Sequence, residues 1–415
     1  MREAVPVDAD ADQQATETVR QLRALSTPDG AVALARASAL LADGVDAVAA
    51  LTRLRAGVGT DLAGPAWGIA RQRQKARPTF GADAERLLFT SDTLEQAGRP
   101  VLADRRAARL LAGGAESVAD LGCAAGTDTL ALARAGARVV AVDRDPVARE
   151  LTRLNTAALG LSGVEILDAD VVELVSGADD GRVAGCDAAV LDPARRAGGR
   201  RQLDPDRWSP PWSTVTALLD AVPAAVVKVA PGLDHDRVPD GVEAEWVSVG
   251  GSIVEALLWG REPSAVWRRA TLVKDGVVHE VTAAADPGPA PVGPVRGWLH
   301  EPDPALIRSG LMSLIAAGAT LIDPTIAYLT SDGPADSPWL RSYRITESLP
   351  FNLKKLKALL RARGIGRVVV KKRGSPIEPE ALAKQLRGPG NGSAVVVVTR
   401  VAGAPSVLVC EPFSG

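Results

Sequence analysis

The chain has 415 residues, room for two or three domains with sizeable cores. Lys and Arg number 48 and Asp and Glu 50, so the net charge of -2 says little by itself and only the distribution of charge can speak to a polyanionic partner. Three cysteines without paired spacing (Cys123, Cys186, Cys410), three scattered histidines (His235, His279, His300) and the lack of a long apolar run exclude a disulfide framework, a metal site and a membrane span.

Residues 1–14 are acidic and polar, with Glu3, Asp8, Asp10 and Asp12 ahead of any apolar run. They read as a loose N-terminus rather than a secretory leader, which with the unpaired cysteines points to the cytoplasm. Residues 15–112 read as a helical region. Small and aliphatic side chains recur at helical spacing over 31–41 and 45–54, split by Asp43-Gly44. Residues 69–77 carry Arg71, Arg73, Lys75 and Arg77 with no acid, and 101–111 add Arg105, Arg106 and Arg109. Each of these arginines reads as part of a solvated helix face.

The next segment is Val118-Ala119-Asp120-Leu121-Gly122-Cys123-Ala124-Ala125-Gly126-Thr127-Asp128, followed by Val139-Val140-Ala141-Val142-Asp143. It reads as strand, tight turn, helix start and a second strand ending in a carboxylate, the layout by which a doubly wound sheet holds a nucleoside-containing cofactor. Gly122 permits the sharp turn, Gly126 permits close approach to a ligand, and the helix from Thr127 aims unpaired N–H groups at the site. Asp143, with Arg144 beside it, lies 21 residues after Gly122, where an acid reaches ribose hydroxyls. Ala124 replaces the middle glycine of a dinucleotide loop, and Asp128 is an acid where a pyrophosphate would lie, so a dehydrogenase ranks last. The segment resembles motif I of class I S-adenosylmethionine-dependent methyltransferases, D-x-G-x-G-x-G with one alanine for glycine. The sulfonium and α-amino groups of that cofactor are positive and suit a carboxylate-lined site. The alternative is a strand–turn–helix with no ligand.

Residues 146–160 read as a helix, and Val164-Glu165-Ile166-Leu167 as the third strand, followed by Asp168-Ala169-Asp170. Asp187-Ala188-Ala189-Val190-Leu191 and Ala225-Val226-Val227-Lys228-Val229 read as buried fourth and fifth strands. Two hairpins follow, around Gly250-Gly251 and Asp275-Gly276, closing a domain over 113–283. The expected fold is α/β: a Rossmann-like class I methyltransferase sheet behind an N-terminal helical region. The resemblance implies contacts to S-adenosylmethionine from Asp120, Gly122, Cys123, Ala124, Gly126, Asp128, Asp143, Arg144, Asp170 and Val171, the last two at the adenine.

Asp192-Pro193-Ala194-Arg195-Arg196 follows the fourth strand, whose carboxyl edge faces the transferred methyl. Asp192 can take a proton from an attacking N–H or O–H, and Pro193 stiffens its turn. Arg195 and Arg196 can clamp a phosphate or stack on a base, and Arg200 and Arg201 extend the positive rim. The plainer alternatives are a helix N-cap for Asp192 and solvated loop arginines. Ala194-Arg195 stand where amino-directed base methyltransferases carry a stacking aromatic. The segment looks closer to the Asp-Pro-Pro-Arg of uracil-C5 RNA methyltransferases, but Lys228-Val229-Ala230-Pro231-Gly232 lacks their cysteine nucleophile. A ring nitrogen or ribose oxygen is therefore preferred as acceptor.

Residues 284–297 read as a Pro/Gly linker and 298–415 as a separate α/β domain, with helices over 304–317 and 353–363 and strands at 368–370, 394–398 and 407–409. Residues 351–374 hold nine basic residues and no acid: Lys354, Lys355, Lys357, Arg361, Arg363, Arg367, Lys371, Lys372 and Arg373. Lys354, Lys357 and Arg361 share one helix face, while Leu356, Leu359 and Leu360 can bury the other. Such a surface neutralises phosphates; the alternative is a solvated helix and a lysine-guarded edge strand. The order of parts resembles bacterial methyltransferases with a THUMP-like C-terminal domain. THUMP domains bind RNA in several RNA-modifying enzymes, so the resemblance implies a tRNA or rRNA substrate, contacted through Lys354, Lys355, Lys357, Arg361, Lys371, Lys372 and Arg373. Two rivals stay open: a methyltransferase for a protein or small molecule, and a non-catalytic protein that binds the cofactor and RNA.

Overall fold

The structure, a computed structural model, describes residues 9–177, 181–197, 200–202, 204–260 and 265–412. It opens with helices α1 (Ala9–Leu25), α2 (Pro28–Ala42), α3 (Ala47–Val58), α4 (Thr60–Phe80), α5 (Ser91–Gln96) and α6 (Pro100–Ala112). Residues 9–14, expected to be loose, are instead helical: Asp10 and Asp12 fall in the first turn of α1, where acids oppose the positive end of the helix dipole. Thr27 and Asp46 cap α2 and α3 by accepting backbone N–H groups at 3.0–3.2 Å.

The sheet that follows alternates strand and helix: β1 (Ser117–Leu121), α7 (Thr127–Arg134), β2 (Arg138–Asp143), α8 (Pro146–Leu159), β3 (Val164–Asp168), α9 (Val171–Val175) and β4 (Ala188–Leu191). A short ribbon of β5 (Arg196–Ala197) and β6 (Arg200–Arg201) precedes α10 (Trp212–Ala221) and β7 (Ala224–Val229). The five longer strands pair in parallel in the order β7-β4-β1-β2-β3. The order reverses between β1 and β4, and a doubly wound sheet opens its ligand crevice at that point.

The helical region and this sheet share one hydrophobic core. Leu22, Leu34, Leu54, Trp67, Phe80 and Phe89 form a cluster with Leu130 of α7 and Leu151 and Leu154 of α8. Asn155 of α8, fully buried, fastens the two. Its Oδ1 accepts the Leu88 N–H at 2.7 Å, and its Nδ2 donates to the carbonyls of Leu88 and Ala125, both at 3.0 Å.

The chain divides into two compact units, and the break falls at Val229/Ala230 rather than in the Pro/Gly stretch at 284–297. The second unit contains β8 (Glu243–Val249), β9 (Ser252–Gly260) up to Leu258, β10 (Arg268–Lys274) and β11 (Val277–Ala283), with the two expected hairpin turns; Trp259 and Gly260 at the end of β9 belong to the first unit. Here β10 also pairs in parallel with β8, and α11 (Pro304–Arg308) lies on both. Asp303, the N-cap of α11, accepts from Ser248 Oγ at 2.6 Å, which explains why these strands belong with the C-terminal part. Residues 284–297 are not a free linker. Ala290 is buried, and Gly293 and Leu321 tie the segment to the C-terminal sheet through two backbone bonds at 2.9 and 2.7 Å.

The C-terminal sheet runs β13 (Thr320–Asp323), β14 (Ile326–Ser331), β12 (Trp298–Pro302), β15 (Leu340–Pro350), β18 (Ala404–Pro412), β17 (Gly392–Val401) and β16 (Ile365–Lys372). The helix expected over 304–317 is two short ones, α11 and α12 (Met312–Ile315), because Gly310 takes a left-handed φ of 77° between them. Helices α13 (Leu353–Ala362) and α14 (Pro379–Leu386) cover one sheet face, packing Leu356, Leu360, Leu382 and Leu386 on Val396, Val398, Val407 and Val409. Among the described residues no helix is long and apolar enough to cross a membrane.

Replacing Asn155 by Leu would take the side-chain partner from three buried backbone groups, the Leu88 N–H and the carbonyls of Leu88 and Ala125. A loss of about 3 kcal/mol is expected, since each unsatisfied buried group costs roughly 1–3 kcal/mol. Urea unfolding of the variant checks it, and an unchanged midpoint would remove Asn155 as the fastening.

Candidate active site

A cleft of about 990 Å³ opens in the first unit at the carboxyl ends of β1, β2 and β4. One side is the turn after β1, with Gly122 and Ala124. Gly122 has a φ of 85°, and a Cβ there would come to 3.3 Å from the Asp192 carbonyl, so a side chain is excluded where the turn meets the end of β4. Ala124 donates its N–H to Asp143 Oδ2 at 3.1 Å, and Asp145 N–H donates to Oδ1 at 2.9 Å. Asp143 thus faces the cleft from the end of β2 in a fixed orientation, and burial raises its carboxyl above the usual range. Asp170 caps α9 through a 2.7 Å bond from Val172 N–H, and Arg144 reaches towards it at 3.7 Å and towards Ser209 Oγ at 3.4 Å. Arg144, Asp170 and Val171 all line the cleft.

The helical region supplies another wall. Gln14 and Thr18 of α1, with Asp92, Thr93, Glu95 and Gln96 of α5, line the same cleft. These polar groups were not anticipated, because nothing in helical periodicity tells which exposed face will meet a site.

Several residues expected at the cofactor stand behind the turn instead. Gly126 has a φ of 87°, and a Cβ there would approach Thr152 Oγ1 of α8 to 3.2 Å, so its smallness serves packing against α8. Cys123 is buried beside Thr152, and burial pushes its thiol well up. Asp120 is buried and accepts from Thr129 Oγ1 at 2.5 Å; burial, then the neighbouring Asp128, pushes its carboxyl up to about 7.

Asp128 departs most from expectation. It does not line the cleft but lies buried in the first turn of α7. Its Oδ1 accepts from Arg106 Nε and Nη2 at 2.9 and 2.7 Å, and its Oδ2 from Lys228 Nζ at 2.5 Å. The two cations hold its carboxyl well below the usual range against the opposing effect of burial. Arg106, read as part of a solvated face, is only 1% exposed. Both Arg106 and Lys228 went unremarked as site residues. The available signal was a single lysine inside the otherwise apolar Ala225-Val226-Val227-Lys228-Val229.

Lys228 also reaches Asp192, with Nζ 3.0 Å from Oδ2. Asp192 is therefore no helix N-cap: the next helix, α10, has Pro211 at that position. Asp192, Pro193, Ala194 and Arg195 line the cleft, and Ala194 exchanges two backbone bonds with Ser209 at 2.7 and 3.0 Å that hold the loop across it. The side chains of Arg196, Arg200 and Arg201 lie outside the described residues.

The basic stretch in the second unit separates into two groups. Lys371 pairs with Glu301 at 2.6 Å and Lys372 with Glu378 at 2.7 Å. Arg373 donates to the Ala327 carbonyl at 2.6 Å and stacks over Tyr328, and Arg363 pairs with Glu347. By contrast, Lys354, Lys355, Lys357 and Arg361 of α13 meet no acid among the described residues, and all but Lys357, which is half-buried, are exposed.

A family described as a methyltransferase domain matches residues 119–183, from β1 to just before β4, and a family described as THUMP domain-like matches residues 340–412, from β15 to β18. Two proteins of Mycobacterium tuberculosis, strains CDC 1551 / Oshkosh and ATCC 25618 / H37Rv, are each named an uncharacterized S-adenosylmethionine-dependent methyltransferase. Each is 36% identical over 340 residues, covering 78% of this chain and 89% of the relative. The crystal structure of a methyltransferase candidate from Porphyromonas gingivalis W83 aligns with a TM-score of 0.69 at 18% identity, over 86% of this chain and 92% of that one, a likeness of fold.

Asp120 gives the site a pH signature. Between about pH 4 and 7 the folded protein keeps a proton on Asp120 that the unfolded chain has lost, so this residue contributes stability at low pH that disappears as pH rises through about 7. Asp120→Asn is expected to flatten that decline. Urea midpoints of both proteins at pH 5 and pH 8 check it; parallel declines would remove Asp120 as the source.

Proposed function

The chain belongs to the S-adenosylmethionine-dependent methyltransferases, and from that premise we propose that it methylates a nucleotide of tRNA or rRNA, at a ring nitrogen or a ribose oxygen. What carries the RNA reading is the set of cations on α13 without acid partners, inside the stretch that matches the THUMP domain-like family. A helix face of this kind exchanges counterions for phosphates and is indifferent to base sequence.

The cleft suits the methyl donor. Gly122 keeps open the space that a Cβ would take at the end of β1, Asp143 presents a carboxylate after β2 to the ribose hydroxyls, and Asp170 presents one after β3 to the adenine. We assign Gly122, Ala124, Asp143, Arg144, Asp170 and Val171 to holding it. Asp120, Cys123, Gly126 and Asp128 shape the turn from behind. S-adenosylmethionine, when bound, supplies an electrophilic methyl carbon on a good leaving group.

The protein's own part is to present an acceptor and receive its proton. Lys228 occupies Asp192 Oδ2, and Asp192 Oδ1 has no partner among the described residues. Asp192 accepts a hydrogen bond from the acceptor N–H or O–H and takes the proton as that atom gains its methyl group. Arg195, also on the cleft wall, supplies a planar cation for a phosphate or base face. All three cysteines are buried and none lines the cleft, which favours direct transfer to a heteroatom over covalent activation of a pyrimidine carbon.

Purified protein incubated with methyl-labelled S-adenosylmethionine and total RNA is expected to label RNA. Asp192→Ala is expected to lower the rate by about 100-fold or more, with cofactor affinity nearly unchanged by calorimetry. Label appearing in total protein instead of RNA would overturn the RNA reading.

Replacing Lys354, Lys357 and Arg361 together by Ala is expected to weaken RNA binding and reduce the slope of log affinity against log salt by about 2 to 3, roughly 0.9 per lost phosphate contact. An unchanged slope in filter binding would remove α13 from the RNA contact.

A further inference from the structure

We propose that Lys228 is a positioning residue for methyl transfer, fixing the Asp192 carboxylate in the cleft at the end of a buried line of alternating charge, Arg106–Asp128–Lys228–Asp192. This rests on the reading of Asp192 as the group that receives the acceptor's proton.

The line can be followed atom by atom. Arg106 of α6 donates through Nε and Nη2 to Asp128 Oδ1, Lys228 of β7 donates to Asp128 Oδ2 at 2.5 Å, and the same ammonium donates to Asp192 Oδ2 at 3.0 Å. Side-chain exposure is 1% for Arg106, 7% for Asp128 and 8% for Lys228, then rises to 33% at Asp192, the member that lines the cleft.

Water is kept from the inner members. A Cβ on Gly98, between α5 and α6, would lie 3.7 Å from Lys228 Nζ and 3.9 Å from Arg106 Nη2, so the backbone there closes directly over both. Exclusion of water strengthens each ion pair and makes its geometry more decisive. Of the other charged groups nearby, Asp120 of β1 accepts from Thr129, Asp143 accepts backbone N–H groups after the β1 turn, and Arg144 turns towards Asp170 and Ser209. With one oxygen held by Lys228, the carboxylate plane is set and the other oxygen is presented to the cleft. Misplacing a reacting group by about 1 Å can cost roughly 100-fold in rate.

The test uses the full chain, with Lys228→Met and Lys228→Gln as neutral variants and Lys228→Arg as the conservative one. The carboxyl carbon resonance of Asp192, assigned by its loss in Asp192→Asn, is expected to move in both neutral variants and return towards its original position in Lys228→Arg. With total RNA as acceptor, Lys228→Met is expected to lower kcat by about 10- to 100-fold with KM for S-adenosylmethionine unchanged, and to have no further effect in an Asp192→Asn background. A resonance that stays put in a folded neutral variant, or equal loss of kcat in both backgrounds, would overturn the proposal. Failure of both neutral variants to fold while Lys228→Arg folds would make the residue structural and likewise overturn it. If the wild type labels no RNA, the RNA reading fails by itself, and the resonance still decides the role of Lys228.

Discussion

A buried carboxylate must be answered by cations, and the first unit is organised around that demand at Asp128. An anion in the first turn of α7, shut off from water, would be too costly to keep without partners. Its partners come from elements far apart in the chain, 22 residues earlier in α6 and 100 residues later in β7. Arg106 and Lys228 hold it together, one on each carboxylate oxygen. The pairing therefore ties the helical region to the sheet alongside the apolar cluster, and it brings Lys228 to the end of β4. The acid that seemed suited to a cationic ligand is used up inside the protein. The carboxylates that face the cleft are those of the later strand ends.

How much of this could be read from the sequence depends on the range of the interaction. The five parallel strands were legible because buried β-branched runs such as Ala225-Val226-Val227 and glycine turns such as Gly122 are local signals. The carboxylates at the ends of β2, β3 and β4 were legible for the same reason, since strand ends fix where they must point. Asp128 was misjudged because its environment is set by Arg106 and Lys228, which no local pattern connects to it. At Gly126 the turn implies the left-handed φ, while the close packing against Thr152 on α8 is a long-range contact that no local pattern reveals. In the C-terminal part, β15 was not read as a strand. Its sequence Leu340-Arg341-Ser342-Tyr343-Arg344 sets buried Ser342 and Tyr343 side by side and so blurs the alternation that marks a half-buried strand.

The basic stretch teaches a related lesson about counting charges. Nine cations in one run looked like one surface, yet the strand and the helix treat theirs differently. On β16 and just beyond it, Lys371, Lys372 and Arg373 find Glu301, Glu378 and a carbonyl brought near by the sheet. On α13, apolar residues claim the inner face and leave the lysines outward, where no acid stands. Tertiary pairing has thus narrowed a broad electrostatic signal to one helix.

The cleft takes one wall from α1 and another from the loop after β4, segments made at very different times during synthesis. Contacts so distant along the chain form late, because the entropy of closing the intervening loop has to be met first. The helices can collapse on one another while the strands are still being made, but the pocket they help to wall does not exist until β4 and β7 have joined the sheet. On that account the scaffold precedes the pocket, and cofactor binding waits on the strands that bring the loop after β4 into place.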